Sequence, residues 1–144
     1  MRNFPAPVFE RKLRFALVGC GRIAANHFSA MQQHSERAEL VAVCDVSPAA
    51  LEAAAALTHA KPYTSLPGLL KETDADAVIL TTPSGLHAQQ AIDIAAAGRH
   101  VITEKPMATR WHDGLRMVKA KQNGRLLLEN SSYWCRWLYR ISSH

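Results

Sequence analysis

Short apolar runs alternate along this chain with stretches in which apolar residues follow helical spacing. The apolar runs predict strands at residues 13–18, 40–44, 77–80 and 100–103, with a further short strand at 61–64. Helical spacing predicts helices at residues 22–33, 49–57, 65–71, 86–97 and 110–120. No hairpin turn separates the strands, so the alternation predicts an α/β fold, a parallel sheet with helices on both faces.

Cap residues support several of the predicted helix ends. Ser47 can accept a hydrogen bond from the first turn of the second helix, and Pro48 fits the first helical position. Gly98 is suited to end the fourth helix because glycine tolerates a left-handed backbone. Thr109 is the predicted cap of the fifth helix.

Four segments follow the predicted strands directly. They are residues 19–21, Asp45, residues 81–85 and residues 104–106. Ligands of open parallel sheets bind at the carboxyl ends of the strands. We therefore expect these segments to converge on one crevice.

The first of these segments has the sequence Gly-x-Gly-x-x-Ala, formed by Gly19, Gly21 and Ala24. In a dinucleotide-binding βαβ unit the first glycine allows a tight turn, the second lets the backbone approach a pyrophosphate, and the third small residue keeps the helix close to the sheet. The helix N-terminus then offers unpaired N–H groups to the phosphates. A purely structural glycine turn is the alternative, but the strand before, the helix after and the acid at Asp45 together favour a nucleotide.

Asp45 also bears on which dinucleotide binds. A carboxylate there can accept hydrogen bonds from a ribose diol and repels a 2′-phosphate. No arginine or lysine follows in residues 46–48 to neutralise such a phosphate. The sequence therefore predicts NAD rather than NADP.

The sequence Glu104-Lys105-Pro106 lies just past the fifth predicted strand. Pro106 cannot continue the strand ladder and fixes the chain direction. Lys105 would then point into the crevice beside the nicotinamide, where partial desolvation favours the neutral amine that can take a proton from a substrate hydroxyl. The alternative is a solvated surface pair of Glu104 with Lys105.

Residues 13–120 resemble the N-terminal half of the glucose–fructose oxidoreductase and inositol dehydrogenase family (Gfo/Idh/MocA). The resemblance rests on the glycine-rich turn, the strand ending in Asp45, Thr82-Pro83 followed by His87, and Glu104-Lys105-Pro106. It implies that Lys105 is the catalytic or substrate-orienting residue and that Thr82, Pro83 and His87 line the nicotinamide ribose. The cofactor-binding residues predicted in this way are Gly19, Gly21, Arg22, Ile23, Ala24, Asp45, Thr82, Pro83, His87, Glu104 and Lys105.

Residues 80–87 and 103–111 resemble one branch of that family more closely. Its members are bacterial dehydrogenases that oxidise the sugar 3-hydroxyl of UDP-N-acetylglucosaminuronate on the way to lipopolysaccharide O-antigen sugars. The resemblance implies a sugar or nucleotide-sugar substrate. A methyltransferase, which also uses a glycine-rich turn and an acid after its second strand, is disfavoured by Ala24 and by Glu104-Lys105-Pro106.

Length and composition limit the other classes of function. A chain of 144 residues suggests one domain, here residues 13–120 preceded by a leader at 1–12. We predict a cytoplasmic protein, because no apolar run is long enough to span a membrane and the N-terminus lacks the apolar core of a signal peptide. The three cysteines and seven histidines show no metal-ligand spacing, so no metal site is predicted.

Residues 121–144 differ from the rest of the chain. Residues 1–120 hold 13 basic and 11 acidic residues, a net charge of +2, whereas residues 121–144 hold four basic residues and one acid, a net charge of +3. The aromatic and basic stretch at 131–140 could suggest single-stranded nucleic acid or a membrane surface. We favour a non-family tail, produced by a deletion that shifted the reading frame, and expect neither nucleic acid nor membrane as a partner.

The family resemblance also indicates what this chain lacks. Family members continue into a substrate domain, and their fifth helix is followed by a sixth strand, whereas here residue 120 runs straight into Lys121-Gln122-Asn123. We therefore predict a sheet truncated after the fifth helix, with an open edge that favours self-association. The chain would be the nucleotide-binding half of an NAD-dependent oxidoreductase; alone it is expected to be a catalytically inactive NAD-binding module.

Overall fold

The computed structural model describes residues 10–120 and the strand at 127–129. The strands are β1 Leu13–Val18, β2 Ala38–Cys44, β3 Lys61–Tyr63, β4 Ala77–Leu80, β5 His100–Thr103 and β6 Leu127–Glu129. The helices are α1 Ala24–Gln33, α2 Pro48–Thr58, α3 Leu66–Glu72, α4 His87–Ala96 and α5 Trp111–Ala120, with a 3₁₀ turn at Ser84–Leu86 before α4. Of the predicted leader, residues 1–9 lie outside the described residues.

All six strands are parallel, in the order β3-β2-β1-β4-β5-β6. This is the strand order of a doubly wound dinucleotide-binding sheet. Strands β1 to β3 follow one another toward one edge of the sheet, and β4 to β6 follow one another toward the other edge. The strand order therefore changes direction between β1 and β4, and such folds bind their ligand in the crevice at this switch point. The predicted Rossmann-like α/β fold is confirmed.

The sheet carries a buried core on each face. Alternate strand residues such as Leu17 and Ile79 pack with α1, while Val78 and Leu80 pack with α4 on the other face. All four residues of β4 are buried, which explains why its sequence is a continuous apolar run rather than an alternating one. Each fully buried leucine or isoleucine contributes about 1.5–3 kcal/mol relative to an exposed position.

The structure contains the predicted caps at the start of α2 and near the end of α4. The Ser47 hydroxyl accepts a hydrogen bond from the Ala50 amide at 3.4 Å, and Pro48 is the first residue of α2. Gly98 has a φ of +78° and lies two residues past Ala96, the last residue of α4. The predicted first helix begins two residues later than expected, at Ala24, because residues 22 and 23 form the turn that leads into it.

A sixth strand is present, and the prediction that the sheet ends without one is wrong. Leu127–Glu129 pairs in parallel with residues 101–103 of β5. Three residues after a polar connection are too short a run to be identified as a strand by periodicity. The edge of β5 is therefore covered, so an open β5 edge is no longer a reason to expect self-association. The aromatic and basic stretch at 131–140 lies outside the described residues.

An aspartate at the start of β4 anchors the entry of the chain into β1. Both Asp76 carboxylate oxygens accept hydrogen bonds from the Arg11 guanidinium at 2.7 Å, and Oδ2 also accepts one from the Arg14 amide at 2.8 Å. Partial burial alone would raise the pKa of Asp76, but the bonds from Arg11 and Arg14 outweigh it and lower that pKa. The ionised carboxylate therefore stabilises the fold.

Asp76→Asn is expected to lower the free energy of unfolding by about 1 kcal/mol at neutral pH, after allowance for solvent screening at this partly exposed site. Because the folded-state pKa is below the unfolded one, the contribution is complete above the ordinary aspartate pKa of about 4 and is lost as the pH falls through the folded value. Urea unfolding at about pH 7 and about pH 3 should show a difference that shrinks at the lower pH. Asp74→Asn is the matched control: this mostly exposed carboxylate, two residues away, pairs only at the surface with the Arg14 guanidinium, so its loss should have a smaller effect. An equal effect of the two substitutions would contradict the prediction.

Candidate cofactor site

The glycine-rich turn lies at the switch point, where β1 passes the end of β4. Gly19 has a φ of +98°, and a Cβ at this position would lie 2.7 Å from the Thr81 carbonyl carbon and the Thr82 amide nitrogen. Only glycine fits both the backbone conformation and the close approach. The Gly19 amide also donates to the Cys44 carbonyl at 2.8 Å, so the turn is tied to β2 as well as to β4.

The second glycine differs from the first because it faces open space. A Cβ at Gly21 would meet no protein atom within 4 Å. Ala24, in contrast, is completely buried against the sheet. No side chain caps the N-terminus of α1, and its first turn carries no acid. The turn therefore has room and positive polarity for a phosphate, and its contact with a pyrophosphate stays a prediction.

Asp45, at the end of β2, holds this turn in place. One carboxylate oxygen accepts a hydrogen bond from the Cys20 amide at 2.6 Å, and the other accepts one from the Ser47 amide at 2.7 Å. Each oxygen of an ionised carboxylate can accept two hydrogen bonds, so capacity for a ribose diol remains. The acid thus links the glycine-rich turn to the start of α2 in addition to its predicted role.

The thiols beside Asp45 are held in their protonated form. Burial first, and the Asp45 charge second, raise the pKa of Cys20 and of Cys44 to about 11. The Cys20 thiol points at the Cys44 carbonyl, with a sulfur–oxygen distance of 3.5 Å. Because the thiolate is the reactive form of cysteine, neither side chain is suited to nucleophilic chemistry at neutral pH.

These elements enclose a cleft of about 530 Å³ at the carboxyl ends of the strands. Its lining includes five of the predicted site positions and their neighbours: Val18, Gly19, Gly21, Cys44, Asp45, Val46, Thr64, Ser65, Leu66, Thr81, Thr82, Pro83, Leu86 and Gln90. Sequence reasoning missed the contribution of residues 64–66. They follow β3, which ends at Tyr63, one residue earlier than predicted, so the rule that found the other strand ends applies to them as well. Gln90 is also new, and its side-chain oxygen accepts a hydrogen bond from the Thr82 hydroxyl at 2.6 Å.

His87 lies behind the cleft wall. Its side chain is 1% exposed, and its two ring nitrogens face the Thr82 carbonyl at 2.9 Å and the Pro106 carbonyl at 3.1 Å. The ring thereby connects the loop after β4 to the loop after β5. Direct contact of His87 with a ribose remains a prediction, and the buried ring indicates that its effect on the cleft passes through the two loops.

The segment after β5 places its charged residues in different surroundings. The Glu104 carboxylate contacts Nε2 of the buried His27 at 2.6 Å, whereas the Lys105 side chain is exposed. Neither residue lines the cleft described above, and nor do the exposed residues Arg22 and Ile23. The catalytic role of Lys105 and the cofactor contacts of these four residues therefore stay predictions.

The described residues contain neither a metal cluster nor a membrane-spanning helix. Within residues 10–120 and 127–129, no three or more histidine, cysteine, aspartate or glutamate side chains come together as a metal site would require. In the same part of the chain, no helix combines the length and the apolar character needed to cross a bilayer.

Comparison with known proteins identifies the fold and its cofactor. The family model described as "Oxidoreductase family, NAD-binding Rossmann fold" (GFO_IDH_MocA) matches residues 13–131. The chain belongs to this oxidoreductase family. The predicted family and the predicted NAD-binding character are thus confirmed. The match continues past the expected domain boundary at residue 120 and includes β6.

Two solved structures of the family are similar to this chain over most of its length. The WlbA dehydrogenase from Chromobacterium violaceum, in complex with NADH and UDP-GlcNAcA, is 58% identical with a TM-score of 0.87, and the match covers 90% of this chain and 38% of that one. The WlbA dehydrogenase from Bordetella pertussis, with the same two ligands, is 58% identical with a TM-score of 0.85, covering 86% and 36%.

A more distant relative marks the breadth of the family. Inositol 2-dehydrogenase from Salmonella typhimurium is 32% identical over 122 residues, which are 81% of this chain and 36% of that protein. The chain therefore spans between a third and two fifths of the length of these relatives.

Proposed function

We propose that this chain is the NAD-binding portion of a dehydrogenase that oxidises a hydroxyl group of a nucleotide sugar, in the synthesis of lipopolysaccharide sugars. The observation that carries the proposal is the 58% identity to two dehydrogenases whose structures contain NADH and UDP-GlcNAcA. The cleft geometry supports it independently, because the glycine-rich turn, Asp45 and the loop after β4 surround one space at the switch point.

The cleft suggests how the cofactor lies. The open side of Gly21 and the uncapped start of α1 are suited to the pyrophosphate, and Asp45 to the adenosine ribose. Because a dinucleotide spans both halves of a doubly wound sheet, the nicotinamide would extend toward the ends of β4 and β5. This direction leads from Thr82 and Pro83 toward Lys105.

We infer that NAD is preferred to NADP. The carboxylate of Asp45 is fixed by two amides, and the next residue, Val46, is exposed and uncharged. A 2′-phosphate would meet a fixed negative charge without a neutralising side chain in residues 46–48. A similar solved structure, the 3-ketoreductase KijD10 from Actinomadura kijaniata, 28% identical to this chain with a TM-score of 0.75, contains NADP. The choice between the two cofactors therefore depends on individual residues.

The proposed chemistry assigns the proton to Lys105. NAD, when bound, accepts a hydride from the carbon that carries the hydroxyl group. The hydroxyl proton needs a base of its own as the carbonyl forms, and we assign this role to Lys105, whose side chain is exposed just past the end of β5.

Asp45→Asn is expected to reduce the preference of the chain for NAD over NADP by about 5- to 100-fold, because it removes the charge that accepts the diol and repels the phosphate. The ratio of the two dissociation constants from calorimetry measures the effect. This ratio separates ligand recognition from loosening of the turn, which would weaken both cofactors equally. An unchanged ratio of the two dissociation constants would contradict the proposed contact between Asp45 and the adenosine ribose.

A turnover assay tests whether this chain alone is active as a dehydrogenase or only binds NAD. Reduced cofactor is followed by its absorbance when the purified chain is mixed with NAD and UDP-N-acetylglucosaminuronate. Turnover would support the dehydrogenase directly. Binding of NAD without turnover is the result expected of the NAD-binding portion alone, and this chain would then be the second candidate, an NAD-binding module without activity of its own.

A further inference from the structure

A buried histidine on the first helix holds the acid that precedes Lys105. Nε2 of His27 lies 2.6 Å from Oε1 of Glu104, and the two residues are 77 positions apart in the sequence. The His27 side chain is 3% exposed and that of Glu104 is 18% exposed. An ionised carboxylate only accepts hydrogen bonds, so with Glu104 ionised it is Nε2 that carries the hydrogen and donates it to Glu104.

The hydrogen bond to Glu104, rather than packing in the core, accounts for a histidine at position 27. The other ring nitrogen, Nδ1, is buried and has no partner among the described residues. A buried polar atom without a hydrogen bond is destabilising, and an apolar side chain of similar volume would not carry that cost. A histidine here is therefore explained by what Nε2 does for Glu104.

The bond joins two parts of the proposed site. His27 lies one turn into α1, the helix that begins at the glycine-rich turn. Glu104 lies one residue past β5, where its amide still donates to the Leu80 carbonyl at 2.9 Å. Lys105 is the next residue, and Pro106 beyond it is held through its carbonyl by His87. Both neighbours of Lys105 are thus fixed by buried histidines, one on α1 and one on α4, on opposite faces of the sheet.

We propose that His27 is a positioning residue that acts through Glu104 to fix Lys105 relative to the phosphate-binding helix. The catalytic role of Lys105 in this proposal rests on the proposed function. The structural claim, that His27 and Glu104 fix the backbone of Lys105, applies to the chain without cofactor. The exposed Lys105 side chain gains its position from the backbone on either side of it. The bond between His27 and Glu104 restrains that backbone relative to α1.

Backbone amide relaxation of the ¹⁵N-labelled chain, without cofactor, tests the claim. In the wild type the Lys105 amide should have an order parameter of about 0.85, as in rigid backbone, and in His27→Leu it should fall below about 0.6. Residues of β1 and β4 should keep their rigid values in both. Glu104→Gln, which weakens the acceptor, should show a smaller loss at Lys105, and His27→Gln, which retains an N–H donor, should preserve order.

The outcomes separate this inference from the proposed function. A Lys105 amide as rigid in His27→Leu as in the wild type would overturn the inference, and so would a general loss of order throughout the sheet. The proposed function is tested separately by acetylating lysines of the wild-type chain with and without saturating NAD. NAD should slow the modification of Lys105 by about fivefold while leaving that of the exposed Lys71 unchanged, because only Lys105 borders the cofactor. Absence of that protection would count against the proposed function and leave the relaxation result to decide the inference.

Discussion

Gly19→Ala should abolish NAD binding and destabilise the domain by about 3 kcal/mol or more. The new methyl group would require a φ of +98°, which a residue with a Cβ rarely adopts, and would lie 2.7 Å from backbone atoms of Thr81 and Thr82. Backbone atoms of a central strand end cannot move aside as a flexible side chain can. Thermal and urea unfolding measure the loss, and calorimetry with NAD measures the binding.

Gly21→Ala is the matched variant, because it adds the same methyl group two residues away. No protein atom lies within 4 Å of the added carbon, so stability should change by less than about 0.5 kcal/mol. NAD affinity should nevertheless fall by at least about tenfold, since the methyl group would occupy space needed for close approach of the pyrophosphate. Equal effects of the two substitutions on stability, or unchanged NAD affinity in Gly21→Ala, would contradict this assignment of the turn.

Removal of the lysine that matches Lys105 should cut turnover by about 10²- to 10⁴-fold in a full-length relative that carries the same Glu-Lys-Pro sequence. NAD affinity should stay within about twofold, because Lys105 does not line the cleft formed by the glycine-rich turn. Steady-state kinetics and calorimetry on the same preparations separate the two quantities.

Two further variants at this position sharpen the test. Lysine to arginine keeps the positive charge but cannot supply a neutral amine, so it should be as slow as the alanine variant. Added small primary amines should restore part of the activity to the alanine variant and none to the arginine variant. Equal losses of turnover and NAD affinity would instead make this lysine a cofactor ligand.

The sequence predicts most of the sheet because its strands are buried on both faces. Residues 13–18, 77–80 and 100–103 are strands with the expected bounds, since each contains a buried apolar run. The strand at 127–129 was missed because three residues are too few to show a period. Its existence depends on the exposed edge of β5, which is a property of the assembled sheet.

The site could be predicted where its residues follow strands, and only there. Gly19, Asp45, Thr82 and Pro83 line the cleft because the topology brings strand ends together. The pairing of His27 with Glu104 has no local signal, because it depends on the rotation of α1 over the sheet. The burial of His87 is of the same kind, since its two partners are carbonyls of separate loops.

The direction of β6 determines where the chain leaves the sheet. Because this strand runs parallel to β5, with Glu129 opposite Thr103, its last residue is level with the end of β5 that precedes Lys105. An antiparallel sixth strand would have carried the chain to the far end of the sheet, about 10 Å or more away for three residues at the usual rise. Residue 129, the last described residue, thus lies at the same edge of the sheet as the end of β5 from which the loop with Lys105 begins.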